Sequence, residues 1–250
     1  MTPYEQFKVE CDKEIELQNN QELWQKTHDW MFANDMKHYS YHFEWQGRPI
    51  IQYPQDIVQF QEIVWKTKPD LIIETGIAHG GSLILSASML ALLDISHTSE
   101  REKRMVLGID IDIRKHNREA IEAHPLADRI EMIQGSSIDD SVVNEVKNYT
   151  KNFQSIMVCL DSNHTHDHVL KELELYAPFV SVDNFCIVWD TVIEDMPEDS
   201  FQDRPWGKGN NPKTAVWEFL KSHTEFEIDK NIQNKLLITA APDGYLKRIK

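Results

Sequence analysis

The sequence predicts an α/β fold in which a mostly parallel sheet is covered by helices on both faces. Short apolar runs alternate with helical segments of about ten residues from Leu71 to Trp189, a pattern typical of βαβ units. The first run, Leu71 to Ile73, has no polar alternation, as expected for a strand buried on both faces. Several runs end in glycine, acidic or hydroxyl residues, which collect at the ligand-binding edge of such sheets.

The same patterns set the expected order of elements. Predicted helices cover residues 54–67, 81–94, 115–123, 139–149, 166–177 and 213–221. Predicted strands cover residues 71–74, 105–109, 130–134, 155–160, 183–189, 225–228 and 235–240. Residues 1–47 are predicted to form an N-terminal helical extension, and residues 48–250 the main domain. The connection 191–212 is long and rich in turn residues, so we expect it to cover a binding site.

Composition excludes several classes of partner. The formal net charge is −15 and the sequence pI is near 5.1, which argues against nucleic acid or an anionic membrane as a partner. The chain has neither a basic-then-apolar leader nor an apolar run of the ~18–20 residues that span a membrane. Three cysteines, Cys11, Cys159 and Cys186, leave one unpaired in any scheme, which favours reduced thiols. We therefore expect a soluble, cytoplasmic protein.

One strand-to-helix connection carries the strongest functional signal. It reads Glu74-x-Gly76-x-x-x-Gly80-Gly81-Ser82, and glycines there let the backbone approach a bound nucleoside. The spacing differs from Gly-x-Gly-x-x-Gly and no Gly-Lys-Ser/Thr follows, which weakens the dinucleotide and phosphate-loop interpretations. The remaining interpretation is a ligand that contains adenosine but no phosphates, and S-adenosylmethionine is the commonest such cofactor. The alternative is an ordinary strand-to-helix turn.

The next two strand ends support a nucleoside site. Asp110 follows the second strand, and a carboxylate there can accept hydrogen bonds from both hydroxyls of a ribose. Ser136 and Ser137 follow the third strand and are suited to the edge of an adenine ring. Three successive strand ends thus offer glycines, an acid and hydroxyls in the order that a nucleoside requires.

Acidic residues after the fourth and fifth strands predict a cation site. Asp161 and Asp190 would emerge at the same sheet edge as the glycine loop, and oxygen ligands suit Mg²⁺, Mn²⁺ or Ca²⁺. A cation that holds an alcohol lowers its pKa for methyl transfer, and His164 would take the proton. Two alternatives stay open: Asp161 as the cap of the next helix, and a zinc pair at His164 and His168. His166 and His168 are otherwise assigned to the surface or to the helix cap.

These motifs resemble a known family. Glu74-x-Gly76-x-x-x-Gly80-x-Ser82, Asp110, Gly135-Ser136-Ser137 and Asp161-x-x-His164 with Asp190 are similar to class I S-adenosylmethionine-dependent, cation-dependent O-methyltransferases. More closely, residues 48–250 resemble the family of cephalosporin hydroxylase and rhamnosyl O-methyltransferases. The phrases that carry this likeness are Pro69 to Gly76, Leu160 to His166, Gly209 to Pro212 and Pro242 to Arg248.

The resemblance implies a class I methyltransferase fold, a Rossmann-like doubly wound sheet with an antiparallel C-terminal strand. It implies S-adenosylmethionine as the cofactor and Mg²⁺, or Mn²⁺, at Asp161 and Asp190, with His164 at the position of the proposed base. The implied cofactor-binding residues are Glu74, Gly76, Gly80, Gly81, Ser82, Asp110, Ser136, Ser137 and Asp161.

The chain departs from its relatives beside the second metal acid. Thr191 stands where catechol-type enzymes have Asn, and Trp189 stands where antibiotic-pathway relatives have Glu. The identity of the third protein ligand of the cation therefore stays open, and Glu194 and Asp195 are further candidates.

Sugar hydroxyls are the first expectation for the acceptor, in a nucleotide sugar, a surface polysaccharide unit or a glycosylated natural product. Trp206, Asn210 and Asn211 in the connection 191–212 would contact this substrate. A small phenolic or antibiotic acceptor is the second candidate. A non-catalytic cofactor-binding scaffold and a nicotinamide-dependent oxidoreductase are alternatives from other classes. The aromatic residues of the N-terminal helices suggest a homo-oligomer.

Overall fold

The computed structural model describes residues 1–17, 20–35, 38–95 and 103–250. Its helices are α1 (Pro3–Leu17), α2 (Gln21–Asp35), α3 (Pro54–Thr67), α4 (Gly81–Ile95), α5 (Lys115–Glu122), α6 (Asp140–Thr150), α7 (His166–Tyr176), α8 (Pro212–Phe219) and α9 (Lys230–Leu236). Its strands are β1 (Phe43–Trp45), β2 (Arg48–Ile50), β3 (Leu71–Thr75), β4 (Met105–Asp110), β5 (Ile130–Gln134), β6 (Ile156–Leu160), β7 (Phe185–Val188), β8 (Phe226–Ile228) and β9 (Tyr245–Arg248).

The main sheet has seven strands in the order β5-β4-β3-β6-β7-β9-β8. Neighbours from β5 to β7 pair in parallel, whereas β9 is antiparallel to both β7 and β8. The chain winds outward from β3 to β5 and then returns to place β6 on the other side of β3. A crevice forms at the carboxyl ends of β3 and β6, because the strand order reverses there. The predicted doubly wound, mostly parallel sheet is confirmed.

Two apolar layers hold the sheet between the helices. In β3, Ile72 packs in the layer that contains residues of α3 and α4, whereas Leu71 and Ile73 pack in the layer that contains residues of α6, α7 and α8. Every residue of β3 and β6 is buried. Because burial fixes both strands, the core also sets the positions of the residues that directly follow them.

The strand predicted at residues 235–240 is wrong. Residues 230–236 form α9, and the side chain of Asp229 caps this helix by accepting a hydrogen bond from Asn231 N. The strand that pairs with β7 is instead β9, at residues 245–248. The apolar run from Leu236 to Ala241 suggested a strand, but short apolar runs do not distinguish a strand from a buried turn or helix end.

The N-terminal helices are followed by an antiparallel hairpin of β1 and β2. Residue 47 lies in its turn, and the division into residues 1–47 and 48–250 stays a prediction. The hairpin packs on the start of α4, where a Cβ at Gly81 would lie 2.2 Å from the carbonyl oxygen of Pro49. Met31 of α2 joins the apolar layer beside α3 and α4. Among the helices of the described residues, none combines the length and apolar character needed to cross a bilayer.

The loop after β3 passes directly against the loop after β6. Gly76 has a φ of +90°, and a Cβ there would lie 2.1 Å from the carbonyl oxygen of Asp161. Gly76 N donates to Ile109 O at 2.7 Å, and Asp161 N donates to Thr75 O at 2.9 Å. A residue without a side chain is therefore required at position 76, since both its backbone angle and its neighbour exclude a Cβ.

Substitution of Gly76 by alanine is expected to destabilise the fold far more than the same change at Gly47. Gly47 also has a positive φ, +83°, but nothing lies within 4 Å of a Cβ built there. G47A should lose about 1–2 kcal/mol from backbone strain alone, and G76A should lose a further ~1–3 kcal/mol from the steric clash. Urea denaturation of both variants measures the difference. Equal losses of stability would contradict this contact.

Candidate active site

The glycine loop between β3 and α4 is held in place by two side chains that the sequence analysis missed. Arg48 Nε, from β2, donates to the carbonyl oxygen of His79 at 2.9 Å. Asn117 Nδ2, from α5, donates to the carbonyl oxygen of Ala78 at 2.7 Å, and its Oδ1 accepts from Arg48 Nη2 at 3.0 Å. Asn117 is buried on an otherwise amphipathic helix, and no local sequence pattern reveals such a buried polar contact.

Asp110 lies beside this loop, at the end of β4. Its Oδ2 accepts from Ile77 N at 2.7 Å and from Ala78 N at 3.4 Å, and its Oδ1 accepts from Asp112 N at 2.9 Å. An ionised carboxylate offers about four lone-pair sites, so about one, on Oδ1, stays available after these contacts. That site can accept from one hydroxyl of a ribose. The predicted ribose acid thus also orders the loop that would face the rest of the nucleoside.

Ser136 and Ser137 follow β5 at the same edge of the sheet. Ser137 is buried, and its Oγ lies 3.2 Å from His168 Nε2. Ser136 is half-buried, and its carbonyl oxygen accepts from Asp139 N at 3.1 Å. The two serines are therefore placed by different contacts, and only Ser137 is joined to α7.

A small cavity with several polar lining groups lies between the end of β3 and the start of α4, and the sequence analysis did not predict it. Its polar lining comes from Gln52, Asp56, Glu74, Ser82 and Ser86. Glu74 is buried and accepts a short hydrogen bond from Ser82 Oγ. Gln52 Oε1 is buried with no hydrogen-bond partner among the described residues. Acceptors thus outnumber donors here, which suits a positively charged or hydrogen-bond-donating group of a ligand.

The carboxyl groups of this cavity are held in an unfavourable environment. Burial raises the pKa of Glu74 to about 7, although the hydrogen bond from Ser82 opposes the shift. Burial also raises the pKa of Asp56 to about 6, against hydrogen bonds from Thr239, Ala240 and Tyr245. Asp56 Oδ2 accepts from Ala240 N at 2.8 Å and its Oδ1 from Tyr245 Oη at 2.8 Å, so this acid joins α3 to the C-terminal segment.

Asp161, His164 and Asp190 converge at the crevice, as predicted from their positions after β6 and β7. One ligand atom from each lies within 4.8 Å of the other two, and all three side chains are half-buried. His164 Nε2 lies 3.3 Å from Asp190 Oδ2. Removal from water, with the nearby carboxylates of Asp190, Glu74 and Glu172, raises the pKa of Asp161 well above its ordinary value. A bound cation would offset this repulsion.

The structure bears on two alternatives left open by the sequence, namely whether Asp161 caps α7 and which residue could be the third protein ligand of a cation. Helix α7 takes Thr165 as its N-cap residue, so Asp161 does not cap it. Thr191 is buried and donates its hydroxyl to Pro242 O at 2.6 Å. Glu194 accepts from Gly209 N at 2.7 Å, and Asp195 pairs with Lys213, so these two further candidates are engaged elsewhere. Among the His, Cys, Asp and Glu side chains of the described residues, His164 is the third group at ligand distance.

The connection 191–212 is placed over the site, but its polar residues differ in what they can contact. Trp206 meets the His164 ring edge-on, with ring centroids 4.8 Å apart. Asn210 Oδ1 accepts from His166 N at 2.9 Å, and its Nδ2 donates to Pro205 O at 2.8 Å. Asn211 is fully buried as the N-cap of α8, with its Oδ1 accepting from Lys213 N at 3.0 Å. The two asparagines therefore fix the loop that carries Trp206.

Comparison with known proteins places the chain among methyltransferases. Residues 37–249 match the model of the rhamnosyl O-methyltransferase/CmcI family. A rhamnosyl O-methyltransferase of Mycobacterium tuberculosis is 27% identical over 198 residues, which is 77% of this chain and 73% of the relative. One from Mycobacterium leprae is 23% identical over 227 residues, 90% of each protein.

Solved structures show the same fold at low sequence identity. CmcI with Mg and S-adenosylmethionine gives a TM-score of 0.56 at 16% identity, over 84% of this chain and 78% of that chain. CalS11, a TDP-rhamnose O-methyltransferase of calicheamicin biosynthesis, gives 0.52 at 14% identity, over 77% of this chain and 78% of that chain. The predicted class I methyltransferase fold is therefore confirmed.

Replacement of Glu74 by glutamine is expected to flatten the dependence of stability on pH. The folded pKa is about 7 against an ordinary 4.5, so the folded state holds this proton more tightly than the unfolded state. The stabilisation is present below pH 4.5 and is lost as the pH rises to 7, by up to about 3 kcal/mol. Urea denaturation of the ligand-free protein at pH 5 and pH 8 tests this for E74Q, with exposed Glu131 changed to glutamine as control. Equal pH dependence in E74Q and E131Q would refute it.

Proposed function

Because the chain belongs to the rhamnosyl O-methyltransferase/CmcI family and is an S-adenosylmethionine-dependent O-methyltransferase, we propose that it methylates a sugar hydroxyl with the help of a divalent cation. The convergence of Asp161, His164 and Asp190 beside the glycine loop is the observation that carries this proposal. These side chains offer oxygen and imidazole ligands at the crevice proposed to bind the methyl donor. A non-catalytic cofactor-binding protein would have no use for two carboxylates that repel each other at this position.

The residues present fit a hard cation. Asp161 and Asp190 would hold it, since carboxylate oxygens are the ligands that Mg²⁺ and Mn²⁺ prefer. A bound cation would supply positive charge that lowers the pKa of an acceptor hydroxyl. Glu74 and Glu172 add negative potential at Asp161, which further favours a divalent ion over a monovalent one.

His164 is proposed as the base that takes the acceptor proton. Its Nε2 lies 3.3 Å from Asp190 Oδ2, so the carboxylate orients the ring and stabilises the imidazolium that forms on proton transfer. Trp206 packs edge-on against the same ring and restricts its rotation. His164 also lies at ligand distance from the two acids, so direct coordination is the competing role that an experiment must separate.

The cofactor would lie across the ends of β3, β4 and β5. Gly76, Gly80, Gly81 and Ser82 would shape the methionine and ribose pocket with Glu74, and Asp110 would accept from a ribose hydroxyl. The adenine would lie against Ser136 and Ser137. Bound in this way, S-adenosylmethionine supplies an electrophilic methyl group to the acceptor oxygen.

Trp206 is proposed to form the acceptor wall. The guanidinium of Arg204 lies 5.4 Å from the centre of the Trp206 ring, which leaves an aromatic and cationic surface beside His164. Such a surface suits the apolar face of a sugar and an attached anionic group. Asn210 and Asn211 would act by holding this wall in place. The relatives named rhamnosyl O-methyltransferase support a deoxysugar as the first acceptor to try.

Assembly through the N-terminal helices is part of the same proposal. Tyr4 and Phe7 of α1 are 66% and 57% exposed, and Trp30 of α2 is 40% exposed. Apolar side chains of this size on one extension are typical of subunit contacts.

Metal dependence can be tested with a panel of nucleotide sugars and labelled S-adenosylmethionine. Transfer is expected with Mg²⁺ and is expected to be lost in excess chelator. D161N should lower turnover at least about a hundredfold, because several kcal/mol of transition-state stabilisation depend on the cation. Its affinity for S-adenosylhomocysteine should stay within a few fold of wild type. D183N, at an exposed acid beyond the far end of β7, is the matched control. Full activity in chelator would refute the metal role.

The role of His164 is tested by separating turnover from metal affinity. H164Q is expected to lower kcat about a hundredfold or more at saturating Mg²⁺, because a general base contributes on that scale. Its affinity for Mn²⁺, measured by calorimetry, should change by less than about threefold, because the glutamine amide keeps a hydrogen-bond donor for Asp190. H166Q serves as the control, since His166 contacts Thr214 and Glu218 instead of the acids. Weakened Mn²⁺ binding, with kcat restored by excess metal, would make His164 a ligand.

A further inference from the structure

A second polar cluster lies beside the proposed adenine position. His168, Glu172 and Tyr176 lie one turn apart on the buried side of α7. His168 Nε2 lies 3.2 Å from Oγ of both Ser137 and Ser162. Tyr176 Oη donates to the carbonyl oxygen of Ser137 at 2.7 Å. One side of α7 therefore holds both the loop after β5 and the loop after β6.

Glu172 is the unexpected member of this cluster. It is fully buried, and its Oε1 accepts from Ser162 Oγ at 2.7 Å and lies 3.7 Å from His168 Nε2. Its Oε2 has no hydrogen-bond partner in the part of the chain that is described. An apolar side chain at position 172 would pack α7 against the sheet without the free-energy cost of burying a carboxyl group, as Val169 and Leu173 do beside it. The presence of a carboxyl group at this buried position is therefore explained by its effect on neighbouring residues.

These contacts determine which nitrogen of His168 carries the proton. Ser162 gives its hydroxyl proton to Glu172, so its Oγ can meet Nε2 only as an acceptor. A lone pair on Nε2 would face the Ser162 lone pairs and the Glu172 carboxylate, and both contacts would be repulsive. The Nε2–H tautomer removes the repulsion and directs a donor toward Ser162 and Ser137.

We propose that His168 and Glu172 are positioning residues that keep the Ser137 hydroxyl proton free for a ring nitrogen of the cofactor's adenine. Ser137 Oγ accepts from Nε2–H, and its own proton then has no acceptor among the described residues. In the opposite tautomer, Ser137 would donate its hydroxyl proton to Nε2 of the imidazole, and only the lone pairs of Ser137 Oγ would face the adenine. The inference deepens the proposed cofactor site and rests on it.

The tautomer is tested directly by long-range ¹⁵N NMR of the imidazole rings in the cofactor-free protein. The His168 signals are assigned by their loss in H168Q. Wild type should show a protonated Nε2 and an unprotonated Nδ1. E172Q removes the neighbouring charge and should raise the population of the other tautomer. A wild-type His168 protonated on Nδ1 overturns the proposal, and so does an unchanged tautomer in E172Q.

The effect on the cofactor is tested by calorimetric binding of S-adenosylhomocysteine. S137A should raise the dissociation constant about tenfold, the value of about one hydrogen bond. E172Q should raise it in the same direction, because the tautomer that it favours draws the Ser137 proton into the imidazole. H168L has no nitrogen to take that proton, so it should stay within about threefold of wild type and should restore binding when it is combined with E172Q. Wild-type binding by E172Q, or no recovery in the double variant of E172Q and H168L, would overturn the proposal.

Kinetics separate this role from a structural one. S137A should raise KM for S-adenosylmethionine about tenfold with kcat within about twofold, since the contact is made equally before and during methyl transfer. Equal falls of kcat and kcat/KM overturn the proposal. The binding and NMR measurements need neither acceptor nor metal, so failure of sugar methylation leaves them unaffected. Loss of S-adenosylhomocysteine binding by the wild type would instead overturn the cofactor site, and this inference with it.

Discussion

The site depends on one backbone contact, between Gly76 after β3 and Asp161 after β6. The two strands are neighbours in register, with Thr75 opposite Leu160, so their next residues meet where the strand order reverses. The approach is so close that no side chain fits at position 76. The glycine loop and Asp161, a proposed metal ligand, are thereby fixed relative to each other by the core, before any ligand binds. In the proposed reaction, this short distance would let the methyl donor meet the acceptor oxygen.

Negative charge is the second organising feature of the crevice. Glu74, Asp161, Asp190 and Glu172 come from different strands and from α7, and the pKa of Asp161 is raised by its removal from water and by the other three carboxylates. Proteins rarely gather buried acids without a counter-charge, because each ionised group loses its hydration. A divalent cation at Asp161 and Asp190 would balance the charge on one side of the crevice. On the other side, His168 Nε2 lies 3.7 Å from Glu172 Oε1.

Strand ends were predictable because their residue types are local. Glycines, Asp110, the serines after β5 and the acids after β6 and β7 all lie where the apolar runs stop, and parallel pairing brings these ends to one edge. Residues that support the site from elsewhere were not predictable. Arg48 and Asn117 reach the glycine loop from β2 and α5, and no local pattern indicates such a contact. The asparagines before α8 looked like substrate groups, whereas their contacts show that they hold the connection 191–212.

The sequence by itself determined the α/β class, the order of the central strands and helices, and the presence of glycine, serine and acidic residues after strands that end at one edge of the sheet. These follow from hydrophobic periodicity and from residue types at strand ends, which are local properties of the chain. Only the tertiary structure decided that His164 lies within reach of both acids, that Glu194 and Asp195 are engaged elsewhere, and that α7 joins the loops after β5 and β6. Those facts depend on distances between segments far apart in sequence, which packing sets and periodicity does not encode.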